Sequence, residues 1–328
     1  MNKDEKRPLL VCLSCTRNYG WVTRCFLEIN SRWADYIVIV DQMSTDGTRE
    51  MCAEYKNVIL VDDPDYTYKE ADRARMALNR AREIEGDKIL IYLDIDEILP
   101  ANYLQTKAWQ QIISSPVGAM FNLRWANIMS DRKHYFTEDT PGQWMHRVLH
   151  DDGVTPYTVS EQIHVPLLPW IDGVEDICLE DLRIMHFGVY NENWTYAKMR
   201  YYQMVDVKQK RSKSLVSIYR QYHIFNTENI STHDIPSEWQ YRNVNIYDLI
   251  DVVSLPIICQ YMKDMIVEDG IERYAKLDIW EPRLCEMLQI EAPKQGLYKL
   301  LYRYLGRTQK IRGNIIVRII DKCLKHIV

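Results

Sequence analysis

The sequence lacks any apolar run that approaches the ~20 residues needed to span a bilayer. Its opening residues, MNKDEKRP, are too polar for a targeting segment, so we expect none. Positive charge is not in excess either, because the formal net charge is −5, which argues against the global basic field of a nucleic-acid-binding protein. We therefore expect a cytoplasmic protein without a transmembrane span and without a nucleic-acid partner.

The sequence also lacks the two cysteine pairs of a zinc-binding motif. Eight cysteines are scattered along the chain, and the CxxC spacing of Cys12 and Cys15 has no second pair at zinc-finger distance. Without a signal peptide, scattered cysteines are typical of reduced, buried thiols. The chain has no internal repeat, and its 47% hydrophobic and 27% charged residues indicate a globular protein with a full core.

What the first hundred residues do have is an alternation of short apolar runs with helix-like segments. The apolar runs predict buried strands, and the spacing between them predicts helices. Strands are expected at 8–15, 36–40, 57–62 and 88–93, and helices at 21–33, 48–55 and 69–85. This order is typical of an α/β layer with parallel strands. Ligands collect outside the carboxyl ends of such strands, where Asp41 and Asp94 stand.

Beyond residue 100 the pattern changes. Short strand-like runs alternate with polar loops from 117 to 190, which predicts a mixed extension of the sheet. From 191 onward the chain is expected to be mainly helical. We therefore predict one domain over 1–190 and a helical region over 191–328 that ends in the basic segment 294–328.

Three carboxylates stand within four positions directly after the fourth predicted strand, at Asp94, Asp96 and Glu97. Clustered carboxylates repel one another unless a cation neutralises them. A hard divalent ion with oxygen ligands, Mg²⁺ or Mn²⁺, would do so. A solvated acidic turn or a helix N-terminus would also favour acids, so the short pattern alone leaves both interpretations open.

Two segments taken together resemble the family 2 glycosyltransferases of the GT-A fold. They are IVIVDQMSTDGT at 37–48 and YLDIDE at 92–97, which match an apolar strand with D-x-x-S-x-D-x-T and a second strand that ends in DxD. The resemblance implies a GT-A-type α/β/α layer with a mostly parallel central sheet. It also implies a nucleotide-sugar donor, with UDP-sugar expected first and GDP-sugar second, held by residues 1–100, and an acceptor half over 101–190.

The resemblance also assigns roles to residues. Asp41 would face the base, Asp94 the ribose or the metal, and Asp96 the metal that bridges the diphosphate. The full nucleotide-sugar set comprises Ser14, Thr16, Asn18, Asp41, Ser44, Arg75 and Asp94. For Arg75 a solvated helix face is an equally good interpretation.

Later segments are similar to the acceptor half of bacterial cell-surface polysaccharide and lipopolysaccharide sugar transferases. They are GQWMHR at 142–147, EQIH at 161–164 and IMHFG at 184–188. The resemblance makes His186 a third metal ligand, since neutral imidazole binds metals, although a core histidine would fit the same pattern.

The implied mechanism is a single displacement with inversion, which needs a carboxylate base to take the proton of the acceptor hydroxyl. Glu161 is our first candidate because it lies beside a strand-like run, and Glu97 is the second. Glu138 and Asp139 are further candidates. Each of these acids would also fit an exposed loop.

The segment 294–328 carries nine lysines and arginines against one acid, Asp321, with apolar residues between them. A basic amphipathic helix predicts peripheral contact with anionic lipid at the inner face of the cytoplasmic membrane. A helix docked on the protein is the alternative. The membrane interpretation suits an enzyme with a glycan or lipid-linked acceptor.

Two other functions remain open at this point. A sugar nucleotidyltransferase would share the α/β layer and the acidic metal site, but it usually needs a Gly-rich basic loop after the first strand. Residues 14–20 hold one Gly and one Arg. A non-catalytic binding protein that keeps the fold is the second alternative.

Overall fold

The computed structural model describes residues 7–67, 69–137, 144–159, 166–209, 213–223, 231–252 and 256–326. The chain divides into two compact units. The first runs to Tyr190 and also includes Ser231–Val252, and the second holds the rest of the chain from Asn191 onward. The first break between the units falls after Tyr190, and Ser231–Val252, which lies within the predicted helical region 191–328, belongs to the first unit.

The first unit contains a sheet of ten strands among its described residues. They are β1 (Leu9–Thr16), β2 (Tyr36–Asp41), β3 (Val58–Asp62), β4 (Lys88–Tyr92), β5 (Glu97–Ile98), β6 (Met120–Ile128), β7 (His134–Phe136), β8 (Met145–His150), β9 (Asp176–His186) and β10 (Thr232–Asp234). The order is β10-β7-β6-β8-β4-β1-β2-β3, with β9 beside β6 and β5 beside β9.

Strands β3, β2, β1 and β4 are parallel neighbours. Alternate strand residues are buried on opposite faces, because Cys12 belongs to a core cluster with Phe26, and Leu13 to another with Leu78. Helices therefore cover both faces of the sheet: α1 (Gly20–Asn30), α2 (Thr48–Ala53) and α4 (Lys107–Ile113) on one side, and α3 (Glu70–Arg82) on the other. The predicted α/β class with its parallel strands is confirmed.

The predicted mixed extension of the sheet is confirmed as well. Strand β8 runs antiparallel to β4 and β6, and β9 runs parallel to β6. The end of β9 matters most for the site, because it places His186 opposite Glu97 on β5 and opposite Asn127 on β6.

The second unit is helical in its described part. Its helices are α5 (Glu192–Lys208), α6 (Leu215–Tyr222), α7 (Ile258–Asp269), α8 (Pro282–Leu288), α9 (Tyr298–Thr308) and α10 (Ile315–Leu324). The basic segment thus forms two helices rather than one. No helix in the described ranges has the length and apolar character needed to cross a bilayer.

Candidate functional site

Asp41 ends β2 and is the centre of a polar cluster that we call the Asp41 cluster (Asp41, Ser44, Arg49 and Asp62). Asp41 is fully buried. One carboxylate oxygen accepts from the Ser44 hydroxyl, and the other accepts from the Ser44 backbone N–H at 2.9 Å and from Arg49 at 2.6 Å. Arg49 also donates to Asp62 at 2.7 Å. Both carboxylate oxygens of Asp41 therefore have a donor, and one guanidinium pairs with Asp41 and Asp62 together.

The loop after β1 is hydrogen-bonded to this cluster and to the adjacent Thr45. The Asn18 backbone N–H donates to Ser44 Oγ at 2.7 Å, and Asn18 Oδ1 accepts from the Thr45 N–H at 2.6 Å. Asn18 has a φ of 57°, in the left-handed region where asparagine is tolerated. The predicted residues Asn18, Asp41 and Ser44 are thus brought together by direct hydrogen bonds.

Ser14 and Thr16, the other predicted residues of this half, lie on β1. Thr16 is opposite Asp41 in the strand register, and Asp41 is opposite Asp62, so the three form a row across the strand ends. The hydroxyls of Ser14 and Thr16 are buried and have no hydrogen-bond partner in the described part of the chain. A buried hydroxyl without a partner is costly, which favours a ligand that approaches this edge.

Arg75 has contacts elsewhere. Its guanidinium pairs with Asp72 at 2.7 Å, donates to the Val159 carbonyl at 3.1 Å and lies over the ring of Tyr157. None of these partners belongs to the predicted site. These contacts favour a structural role for Arg75 on α3, and its donor-binding role stays a prediction.

The turn from Asp94 to Glu97, which we call the acid turn, follows β4 and is held by Arg147 on β8. Arg147 is 3% exposed and donates to Asp94 Oδ2 and to Glu97 Oε1, both at 3.0 Å. Burial opposes ionisation of Asp94, but the nearby Arg147 guanidinium outweighs it and lowers the pKa of Asp94. Two acids of the motif therefore share one buried cation from the protein itself.

Glu97 is fully buried, and both of its oxygens accept hydrogen bonds. The donors are Arg147, the indole N–H of Trp125 and the backbone N–H of Asp94. This environment favours a role in positioning Arg147 and the acid turn, and the predicted role of Glu97 as a base stays a prediction. Glu161, Glu138 and Asp139, the other predicted bases, lie outside the described residues.

Asp96 differs from its neighbours in the acid turn. It is 3% exposed, and its Oδ2 atom has no hydrogen-bond partner among the described residues. That oxygen lies 3.7 Å from Nε2 of His186. The Asp96 carbonyl accepts from the Phe187 N–H at 2.8 Å, so the backbone itself fixes the end of β9 beside the turn.

The imidazole of His186 is oriented by Asn127 and Trp125. The Asn127 amide N–H donates to the Phe136 carbonyl, which leaves the Asn127 Oδ1 atom as the acceptor that faces the imidazole. His186 Nδ1 therefore donates to Asn127 Oδ1 at 2.7 Å. The imidazole stacks on Trp125 with ring centroids 4.4 Å apart. A Cβ at Gly188 would overlap Nε2, so a larger residue at that position would displace the ring. In the neutral ring the proton is on Nδ1, and Nε2 is an acceptor that faces the Asp96 oxygen.

The Asp96–His186 pair fits a divalent cation by its chemistry. Two acceptor atoms face each other across 3.7 Å, and carboxylate oxygen with imidazole nitrogen is a ligand set that Mn²⁺ accepts. A ligating histidine usually donates its other N–H to a fixed acceptor, as His186 does to Asn127. Among the described residues, no group of three or more His, Cys, Asp or Glu is arranged as a complete metal site. Asp94, the third predicted ligand, is held by Arg147.

Arg49, Arg147 and Asn127 are site residues that sequence reasoning did not select. Arg49 directly follows the D-x-x-S-x-D-x-T segment, which is a signal that could have been used. Arg147 ends the GQWMHR segment of the resemblance, which gave it no role, and Asn127 had no signal. The contacts of both residues depend on strand pairings with residues 50 or more positions away.

The CxxC cysteines form no reactive pair. Cys12 is buried, and burial raises the pKa of Cys15 to about 12. The Tyr92 hydroxyl donates to Cys15 Sγ at 2.8 Å. All eight cysteines are free thiols, but Cys178 and Cys323 are exposed rather than buried.

No protein-family model and no curated protein matches the chain. Among solved structures, it is similar to the inositol-1-phosphate CTP transferase from T. maritima (9% identity, 56% of this chain and 91% of that chain, TM-score 0.35). It is also similar to M. tuberculosis glucosyl-3-phosphoglycerate synthase (15%, 36% and 45%, TM-score 0.26). With S. aureus TarS 1-349, it shares 13% identity over 97% of this chain and 91% of that chain, with a TM-score of 0.40.

Proposed function

We propose that this chain is a glycosyltransferase that takes a sugar from a nucleotide-sugar donor with the help of a divalent cation. One observation carries the proposal. The Asp96 carboxylate is buried beside the carboxyl ends of parallel strands, with one oxygen unpartnered in the described structure and facing His186 Nε2 at 3.7 Å. Such an oxygen costs free energy unless a cation or a proton compensates it, and strand ends of this kind are where nucleotide ligands collect.

The nucleotide would lie along the row of strand ends. The Asp41 cluster and Asn18 form one side of this site, joined by the hydrogen bond from the Asn18 N–H to Ser44, and Thr16 at the end of β1 has a hydroxyl without a partner in the described structure. Arg147 places a positive charge beside the acid turn, within reach of Asp94. The three acids of the turn outnumber this guanidinium, so an anionic diphosphate between the Asp41 cluster and the turn would also need the divalent cation.

Asp96 and His186 would hold the cation, with Asp94 as a further ligand. A divalent ion in this place supplies positive charge that stabilises the departing diphosphate. The protein contributes orientation: Asn127 and Trp125 fix the imidazole plane, and the Phe187–Asp96 backbone hydrogen bond fixes the turn.

The finer parts of the proposal concern the acceptor. We infer inversion by direct displacement, with a carboxylate that accepts the proton of the acceptor hydroxyl, and Glu161 remains the first candidate. The acceptor would be a glycan or a lipid-linked glycan in cell-surface polysaccharide synthesis, and the donor a UDP-sugar or a GDP-sugar. The sequence resemblance supports these choices.

A thermal-shift panel of UDP, GDP, CMP and dTDP sugars, each with and without Mn²⁺, tests the proposal. A ligand that binds only the native state at ~100 times its Kd stabilises by about 2.7 kcal/mol. We expect one nucleotide class to raise the Tm only when Mn²⁺ is present. If no nucleotide gives a metal-dependent shift, the proposal fails.

A hydrolysis assay of the selected donor then separates the alternatives. Slow release of the sugar with the nucleoside diphosphate would support a glycosyltransferase. Release of pyrophosphate from a nucleoside triphosphate would instead identify a nucleotidyltransferase. A metal-dependent Tm shift without turnover of any donor would favour a binding protein.

A further inference from the structure

Helix α10 exposes most of its apolar side chains. Ile315, Ile316 and Ile319 are 72%, 64% and 58% exposed, and Ile320 is 40% exposed. With the exposed Cys323, they fall within one arc of roughly 140° at about 100° per residue. Scattered exposed apolar residues need no explanation, but a contiguous stripe on one helix face marks an interaction surface.

The outward orientation of this stripe is fixed by the opposite face. Val317 and Asp321 are buried. Arg220 on α6 donates to both carboxylate oxygens of Asp321, at 2.9 and 3.0 Å, and to the Leu305 carbonyl and the Thr308 hydroxyl. This bidentate ion pair is specific in geometry, so α10 cannot roll to bury its isoleucines without breaking it.

Positive charge borders the stripe along one side. Arg318, Lys322 and Lys325 are exposed and follow one another at helical spacing. Asp321 is the single acid between 294 and 328, and it points inward against Arg220. The outer surface of α10 therefore presents isoleucines beside basic side chains with no exposed acid.

We propose that the isoleucine face of α10 docks on an anionic lipid bilayer. An apolar face of this kind inserts at the level of the headgroups, while flanking lysines and arginines contact acidic lipid. A second copy of the chain would be a poorer occupant, because its α10 offers no exposed acid to pair with the basic row. This inference concerns the second unit alone and does not depend on the proposed transfer reaction.

Vesicle co-sedimentation of the full chain tests it, with vesicles of phosphatidylcholine alone and vesicles that also contain phosphatidylglycerol. We expect binding to the anionic vesicles only. The double variant Ile316→Asn/Ile319→Asn should lower the partition coefficient about tenfold or more, since each side chain loses apolar burial. Replacing Arg318 and Lys322 with Gln should lower it about fivefold for each charge.

Val267→Asn is the matched control, because Val267 is an 86% exposed apolar residue on α7 of the same unit, and it should bind as the wild type does. Equal binding of the wild type to neutral vesicles, or wild-type binding by the isoleucine double variant, would overturn the proposal. So would a concentration-dependent dimer in sedimentation velocity that the double variant abolishes, with no vesicle binding.

Discussion

The Asp41 cluster and the Asp96–His186 pair are two acidic groups near the same edge of the sheet, but their carboxylates differ in their hydrogen-bond partners. Asp41 has a donor for each oxygen, from Ser44 and Arg49. Asp96 leaves Oδ2 buried and unpartnered within the described structure, opposite an imidazole nitrogen. The first arrangement stabilises the fold by itself, whereas the second is stabilised only when something binds to it.

Asp41 therefore has the contacts of a residue that stabilises the scaffold, whereas Asp96 has those of a residue that awaits a ligand. A satisfied buried carboxylate contributes to stability, and its removal should lower the free energy of unfolding. An unsatisfied one costs stability, as functional groups often do. The variants below test this distinction, starting with the largest expected effect.

Arg147→Met should lower the free energy of unfolding by about 3–5 kcal/mol, because it leaves Glu97 buried without its cationic partner. Urea unfolding followed by fluorescence measures the loss. Arg24→Met is the control, since Arg24 and Glu54 form an exposed pair and such pairs contribute little. Equal stability of Arg147→Met and the wild type would show that the acid turn does not depend on its arginine.

Asp41→Asn should lower the free energy of unfolding by about 2 kcal/mol, because charge-assisted hydrogen bonds from Arg49 and Ser44 are lost. Asp96→Asn should leave the stability of the metal-free protein unchanged or raise it. The same urea series measures both. A loss in Asp96→Asn as large as that in Asp41→Asn would remove the distinction between the two groups.

Asn127→Ala should weaken Mn²⁺ affinity about tenfold, equivalent to ~1.4 kcal/mol, because His186 loses the acceptor that fixes its ring. Isothermal titration calorimetry with Mn²⁺ in the presence of the selected nucleotide measures this effect. Asn122→Ala on the same strand is the control, since Asn122 contacts Asp176 instead. Equal losses in both variants would indicate a general effect on β6.

His146 gives the smallest effect, on the pH dependence of stability. Burial lowers the pKa of His146. Below about pH 6.5, His146 is therefore protonated in the unfolded chain while it is still neutral in the folded chain. Stability should therefore fall as pH drops below that value, with a slope of at most about 1.4 kcal/mol per pH unit from this group. His146→Gln should flatten the slope between pH 6.5 and pH 5 in urea unfolding, and an unchanged slope would contradict it.

Much of the fold follows from local sequence pattern. The four predicted parallel strands begin and end within about a residue of β1 to β4, because each is a short apolar run buried on both faces. Asp41 and Asp96 could be selected because each follows such a run. These strand bounds could be predicted without knowing which strands pair with one another.

The contacts that distinguish the two acids could not be predicted in this way. Arg147 reaches Asp94 only because β8 pairs with β4, and His186 reaches Asp96 only because β9 pairs with β5. Such pairings join residues far apart in sequence, and no local periodicity encodes them. The DxD pattern therefore could not predict that Oδ2 of Asp96 would lack a hydrogen-bond partner in the described structure.

The most direct test of the central claim is Mn²⁺ binding, measured by electron paramagnetic resonance with nucleoside diphosphate present. Asp176→Asn is the matched control for Asp96→Asn, because Asp176 has an unpartnered oxygen in the described structure, 3.9 Å from Nδ1 of His146, but lies at the opposite end of β9 from His186. We expect Asp96→Asn to abolish binding and Asp176→Asn to bind as the wild type does. Wild-type binding by Asp96→Asn, or loss in both variants, would contradict a metal site at Asp96 and His186.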